Sequence, residues 1–228
     1  QSLLYRQDAW KSKLIAANVT QLLIVIAAEP SPSEALLQRA LIAAEAARIH
    51  PVIVINKADL PATAALQEKL SFYEKLGYEI ITLSALGNVD ILRDKLRGET
   101  NILLGQSGMG KSTLTNALLG EAIARTQTIS AALDSGKHTT THAQLYDLDA
   151  STKLIDSPGL QEFGLHHLAA ADLLHYFPDL KQLVGQCRFH NCTHRAEPNC
   201  ALKAAAERGE VSAERVALLQ KITDELLR

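Results

Sequence analysis

Gly105, Gln106, Ser107, Gly108, Met109, Gly110, Lys111 and Ser112 have the Gly-x4-Gly-Lys-Ser spacing of a loop that cradles phosphates. Glycines let the backbone curl so that successive N–H groups face phosphate oxygens, and the N-terminus of a following helix adds a favourable field. The spacing assigns Lys111 to the β- and γ-phosphate oxygens, where its charge serves catalysis. It assigns the Ser112 hydroxyl to Mg2+, with Thr113 beside it at the start of the helix. A structural strand-to-helix turn is the competing reading; the apolar strand expected before the run and the helix expected after it favour the phosphate loop.

Two further segments have the chemistry to read a purine. Asn56-Lys57-Ala58-Asp59 follows an apolar strand, at the edge where open α/β sheets bind ligands. A carboxylate at Asp59 can accept from the guanine N1–H and N2 amino group, a donor pair adenine lacks, so Asp59 is expected to select guanine. Asn56 can hold either the base or the neighbouring loop, and the aliphatic stem of Lys57 can lie on the ring face. After the next strand, the segment Ser84-Ala85-Leu86 offers a backbone N–H to guanine O6. These short segments say little alone and gain weight by position.

Asp156-Ser157-Pro158-Gly159 places a carboxylate just after a strand, where it can hold Mg2+ through water, and Gly159 can turn its N–H toward a γ-phosphate. Alone, the tetrapeptide reads as a turn. The segment Gly136-Lys-His-Thr-Thr-Thr141 supplies hydroxyls for the remaining magnesium position, assigned to Thr140 with Thr139 as the near alternative. Many nucleotide hydrolases have a water-orienting Gln directly after Asp-x-x-Gly. Leu160 stands there in this chain and Gln161 comes one position late, so slow intrinsic hydrolysis is expected. His138 is the candidate to position the water, because an imidazole can accept or relay a proton near neutral pH. A solvated loop histidine is the alternative.

Cys187-x4-Cys192-x-His194-x5-Cys200 offers thiolates and an imidazole, enough to close a tetrahedral zinc site, with His190 competing for the fourth place. All 3 cysteines fall in this span, which favours a metal site over a disulfide framework. Arg188, His190, Arg195 and Lys203 surround it as a local basic surface in a chain of net charge −2. Such a surface is a candidate RNA contact, and a solvated rim is the alternative.

The elements that must hold these residues follow from hydrophobic periodicity. Apolar runs predict strands over 22–27, 52–55, 79–83, 101–104, 144–148 and 152–155. Ser33 can cap a helix over 34–48, and a helix over 62–76 ends at Gly77, where a left-handed residue is wanted. A short helix is expected over 88–97 and another leaves the phosphate loop at Ser112. The Thr-, Ser- and Ala-rich stretch 121–141 reads as a loop. After about residue 170 helices gather around the Cys/His cluster, and Val216, Leu219, Ile222 and Leu226 mark one over 212–227. The chain's 228 residues and 47% apolar content suit an α/β nucleotide-binding domain plus a small appendage. Its longest strongly apolar run, Leu22 to Ala28, is far short of the ~20 residues that span a bilayer.

The motifs stand in rotated order. In an ordinary small GTPase the phosphate loop leads and the base-reading motifs close the domain; here Asn56–Asp59 and Ser84–Leu86 precede Gly105–Ser112. One site met in rotated order marks circular permutation. With this order, the Cys3His cluster, and the segments Ala17-Asn-Val-Thr-Gln21, Gly105-Gln-Ser-Gly-Met-Gly-Lys-Ser-Thr113 and Asp156-Ser-Pro-Gly-Leu-Gln-Glu-Phe-Gly164, the chain resembles the YjeQ/RsgA family from about residue 2 to its end.

That resemblance implies a circularly permuted P-loop GTPase domain with a mostly parallel sheet over 14–170 and a helical zinc-binding domain over 171–228. Residues 1–13 would be a remnant of an N-terminal OB-fold, otherwise largely absent, or a linker. It implies GTP and GDP as nucleotides, Mg2+, and one structural Zn2+ on Cys187, Cys192, His194 and Cys200. It implies slow GTP hydrolysis stimulated by the 30S ribosomal subunit, late in that subunit's maturation, by a cytoplasmic monomer that touches 16S rRNA and no membrane. The family's Gly-x-His-Thr-Thr loop supports His138. The alternative is an RNA-binding zinc module with a nucleotide-controlled clamp and negligible hydrolysis. Because Asp156–Gly159 runs through Phe163 and Gly164 toward the Cys/His cluster, the permutation is expected to tie a γ-phosphate sensor to an RNA-contacting module.

Overall fold

Residues 2–7, 12–120, 143–159 and 163–227 are described by a computed structural model, in which the most apolar runs become the inner strands of one sheet. β1 (Leu3–Gln7) and β2 (Ser12–Ala17) pair with each other as a separate two-stranded sheet, an element the weak patterning of the N-terminus does not announce. The main sheet holds β3 (Gln21–Ala27), β4 (His50–Asn56), β5 (Glu79–Thr82), β6 (Thr100–Leu104), β7 (Gln144–Asp147) and β8 (Lys153–Asp156). β3 is buried along its whole length and β4 in all but its first residue, as befits parallel strands covered on both faces. Each fully buried Leu, Ile or Val in these strands contributes about 1.5–3 kcal/mol.

The helices are α1 (Glu34–Ala47), α2 (Thr63–Lys75), α3 (Asp90–Leu96) and α4, over 111–120. Ser33 caps α1 by accepting from the Leu36 N–H at 3.2 Å. Arg48, included in the helix by periodicity, instead takes the left-handed conformation at φ 55° and closes it. Gly77 ends α2 at φ 90°, as expected.

The sheet order is β5-β4-β3-β6-β8-β7, parallel throughout except for the β7–β8 pair. β6, which leads into the phosphate loop, is therefore inserted between β3 and β8, although β4, β5 and three helices separate it from β3 in the chain. Arg97-Gly98-Glu99 makes the connection from α3 into β6. Gly98 N–H donates to Thr152 Oγ1 at 3.0 Å, and the Glu99 carbonyl accepts from Lys153 N–H at 3.0 Å. Behind β6 lies a satisfied polar knot: Gln21 donates to Asn101 Oδ1 at 2.7 Å, and Asn101 donates to the Leu96 and Lys153 carbonyls at 3.0 Å each.

The chain divides into two compact units, one of residues 1–5 and 14–163, the other of residues 6–13 and 164–228. The division falls at Phe163, ahead of the change of pattern near residue 170. In the second unit the first two segments after 170 are short 3-10 turns, Ala170–Tyr176 and Lys181–Leu183, with Pro178 between them. α5 (Ala201–Glu207) and α6 (Ala213–Leu226) complete it. Its core includes Phe177, Leu180, Leu202 and Ile222, all fully buried. Arg215 is drawn into this core by a two-pronged pairing with Asp179 at 2.9 and 3.0 Å, and its guanidinium lies 4.6 Å from the Phe177 ring centre. No helix among the described residues is long and apolar enough to cross a membrane.

Candidate functional site

Parallel pairing brings the motifs to one edge. Ala27 lies beside Asn56, Ile24 beside Leu104 and Leu103 beside Asp156, so the segments after β4, β6 and β8 all leave the sheet at its carboxyl end. Ser84-Ala85 follows β5 at the same edge.

Asn56 is the link among them. Its side chain is 1% exposed; Nδ2 donates to the Met109 carbonyl at 3.0 Å, and Oδ1 accepts from the Ala85 N–H at 2.9 Å. Of the two roles open to Asn56, the geometry supports holding the loops. The Ala85 N–H, part of the segment expected at guanine O6, is directed into this clamp. Asp59 is exposed and accepts from Ser84 Oγ at 2.5 Å. That bond, with help from its own backbone N–H and Lys57, holds the Asp59 carboxyl below the usual carboxylate range, so it is an ionised acceptor. Lys57 takes a left-handed backbone at φ 59° and donates from Nζ to the Glu29 carbonyl at 2.8 Å. The stem is thereby stretched beside the phosphate loop, with its Cε 4.0 Å from where a Gly110 side chain would begin.

Within the loop, Lys111 is 7% exposed and donates to the Gly105 and Gln106 carbonyls at 2.9 Å each. Burial draws its ammonium below the usual lysine range, and Asp156 opposes that shift. Gln106 uses its side chain elsewhere: Oε1 accepts from the Ser33 N–H at 2.6 Å, fixing the phosphate loop to the cap of α1. Ser33 and Glu29 are thus site-supporting residues that no spacing rule could find, since each acts through one contact across more than two dozen residues of chain. Gly159 packs so closely on the loop that a side chain there would start 2.9 Å from the Ser107 nitrogen. Ser157, also buried, donates to the Leu103 carbonyl.

Asp156 is 4% exposed, and its Oδ1 has no hydrogen-bond partner among the described residues. Burial raises its carboxyl above the usual range, against the pull of Lys111 and of the Ser112 hydroxyl. An orphaned carboxylate oxygen beside a serine hydroxyl fits a hard divalent cation held partly through water. His138, Thr139 and Thr140 lie outside the described residues, as do Leu160 and Gln161.

In the second unit, one ligand atom each from Cys187, Cys192, His194 and Cys200 falls within 4.8 Å of the others. His194 Nδ1 faces Cys187 Sγ at 3.6 Å and Cys200 Sγ at 3.5 Å. His190, the competing ligand, is not among the clustered groups. Burial and the neighbouring thiols push the Cys192 thiol up to about 12, and burial lowers the imidazole of His194. A cation among them reverses the first shift and welcomes the second, because thiolate and neutral imidazole are the ligating forms. Glu197 frames the turn by accepting from Thr193 N–H, Thr193 Oγ1 and Arg195 N–H at 2.7, 2.6 and 3.0 Å, and these bonds hold its carboxyl down at about 2.

The sequence pattern of the RsgA GTPase family matches residues 1–166. A protein of Neisseria gonorrhoeae called small ribosomal subunit biogenesis GTPase RsgA is 76% identical over 227 residues, covering 100% of this chain and 74% of that protein. One of the same name from Burkholderia pseudomallei is 50% identical over 230 residues, covering 99% and 73%. Among solved structures, YjeQ of Thermotoga maritima superposes with a TM-score of 0.73 at 30% identity, over 100% of this chain and 76% of that one. YloQ, described as a circularly permuted GTPase, gives 0.70 at 27% identity, over 98% and 78%.

Proposed function

The chain belongs to the RsgA GTPase family, small ribosomal subunit biogenesis GTPases, and from that premise we propose which of its residues bind and hydrolyse GTP, and on what partner. The observation that carries the reading is the Asn56 clamp, which joins the base-reading and phosphate-binding loops into one site at one sheet edge.

In this proposal Asp59, oriented by Ser84, accepts from the guanine N1–H and amino group. Gly105–Gly110 present backbone N–H groups to the phosphates, and Lys111 exchanges its two carbonyl partners for β- and γ-phosphate oxygens. Ser112, Thr140 and Asp156 would hold Mg2+, the last through water. Bound there, the ion neutralises charge on the phosphate oxygens. Gly159 turns its N–H to the γ-phosphate, and His138 orients the attacking water in place of the missing glutamine. Cys187, Cys192, His194 and Cys200 hold one structural Zn2+, since a closed four-ligand site leaves no position for substrate.

Hydrolysis is slow in isolation and faster on the 30S subunit, and the GTP form engages the subunit through its 16S rRNA in the cytoplasm. Turnover with and without purified 30S subunits tests this. Stimulation that disappears in His138→Ala supports it; turnover at background with subunits present would sink it in favour of a binding-controlled clamp.

A further inference from the structure

The cleft beside the metal cluster is larger than a metal needs. It encloses about 580 Å3 between the 3-10 turn Ala170–Tyr176, the metal loop and α6. A tetrahedral ion bonded at ~2.0–2.3 Å stays within the cluster itself and leaves most of that space for something else. The volume is that of a small-ligand site, about 300–1,000 Å3.

Its lining is selective. The floor is apolar, with Leu183 and Leu219 buried, while the rim carries Phe189, 40% exposed, and His175, Arg188 and His190. Among the described residues, no carboxylate lines it. The arginines nearby differ in a telling way. Arg195, Arg208 and Arg215 each pair with an acid, at 2.6, 2.6 and 2.9 Å. The Arg188 guanidinium has no ion pair or hydrogen bond among the described residues and lies 5.5 Å from the Phe189 ring centre. Both backbones are pinned by the metal loop, since Arg188 N–H donates to the Asn199 carbonyl and the Phe189 carbonyl accepts from Cys192 N–H. The backbone that carries the aromatic ring and the charge is therefore fixed before any ligand arrives.

A wide cleft with an exposed ring, a guanidinium that meets that ring but no acid, and no carboxylate among its described lining residues suits a flat base carried on an anionic backbone. Duplex RNA hides its base faces in the stack and cannot use the ring. An acidic peptide would satisfy Arg188 but leaves the ring face unused. We propose that this cleft takes one unpaired nucleotide of single-stranded RNA, the base stacking on Phe189 and a phosphate meeting Arg188. The proposal rests on the reading of this protein as an RNA-contacting one and names the form of RNA it takes.

The test is fluorescence anisotropy with the zinc-loaded chain, using a fluorescein-labelled ten-nucleotide single-stranded RNA of mixed sequence and the same sequence as a duplex. Phe189→Ala is expected to weaken single-strand binding about tenfold or more, with Phe189→Trp restoring it and duplex binding within twofold of the parent. Arg188→Gln is expected to weaken single-strand binding and to lower its salt slope by about 1. Phe189→Leu, which keeps the apolar bulk without the π-face, shows the same loss as Phe189→Ala. Zinc content and GDP affinity equal to the parent's show that the variants fold. Single-strand affinity within twofold of the parent in both Phe189→Ala and Phe189→Leu overturns the proposal, as does an equal loss for duplex. Phe189-dependent capture of a poly-glutamate peptide without single-strand binding also overturns it. Phe189-dependent RNA binding in a chain whose GTP turnover ignores 30S subunits leaves the cleft standing and removes only the hydrolytic reading; the converse removes only the cleft.

Discussion

Asn56 lies where a side chain on Gly110 would be: a Cβ built there stands 2.4 Å from Asn56 Nδ2, the nitrogen that donates to the Met109 carbonyl. Gly110 also has a φ of 88°, a conformation other residues adopt at a cost. Gly110→Ala must therefore displace the clamp and strain the loop together, at about 2–4 kcal/mol. GDP affinity by titration calorimetry is expected to fall roughly 30-fold or more; a parental value would show that the clamp does not shape the site.

Base choice should move with one atom. Asp59→Asn replaces a charged acceptor with a group that can also donate, so GDP should bind roughly 100-fold more weakly. Xanthosine diphosphate, which has a carbonyl where guanine has its amino group, should gain. Ser84→Ala removes only the hydroxyl that orients the carboxylate and should cost several-fold. Competition between the two diphosphates measures all three, and unchanged GDP preference in Asp59→Asn would count against the assignment.

Asp156 sets function against stability. Its folded carboxyl is raised by burial, so the folded state binds its proton more tightly than the unfolded chain does. Stability from this group is present below the ordinary value of 3.8 and is lost as pH rises through the higher folded value. Asp156→Asn should then raise the melting temperature of metal-free, nucleotide-free protein at pH 7.5, by about 2–4 °C per kcal/mol recovered. The gain should shrink as the buffer approaches pH 4, while Mg2+-dependent turnover is lost. A lower melting temperature at pH 7.5 contradicts the burial argument.

Metal removal should be read out in the second unit. Cys200 opens α5, and Cys187 Sγ accepts from the Ala201 N–H at 3.4 Å, so the cluster anchors the start of that helix. Cys192→Ser should bring zinc content from one per chain to near zero and abolish slow amide exchange in α5. Because the Cys192 thiol sits at about 12 without a metal, uptake must release protons, and apparent zinc affinity should climb between pH 6 and 8. A pH-independent affinity would mean that the thiols are not the ligands.

How much was legible in the sequence depended on whether one residue type or a pairing carried the information. Strands β3 and β4 were visible because Leu22–Ile26 and Val52–Ile55 are short, unbroken apolar runs rich in Ile and Val, the pattern of strands covered on both faces. β1 and β2 were not, since Leu3-Leu-Tyr-Arg-Gln7 alternates too weakly to be told from a linker. The candidate phosphate loop and the clustered cysteines stand out by spacing alone. The choice between His190 and His194 is a matter of turn geometry, and His194 owes its place partly to a left-handed φ of 61° that spacing does not reveal. Gln106 is expected at the nucleotide as part of the loop, and the bond of its side chain to Ser33 depends on a helix cap far earlier in the chain. The Arg215–Asp179 pair likewise joins residues whose burial comes only from packing.

Arg97-Gly98-Glu99, the short connection from α3 into β6, has a consequence for how such proteins can be rebuilt. It joins the helix that would end an ordinary GTPase to the strand that would begin one, and so few residues suffice because those two points are neighbours at one end of the sheet. A fold with neighbouring termini behaves as a closed loop of polypeptide. Opening the loop elsewhere changes which segments become free ends, and hence where another module can be attached, while every strand keeps the partner it had. Opening the chain at Gly98 and joining the segment after β8 to the one before β3 would, by this logic, return this architecture to the common order with its strand pairing intact.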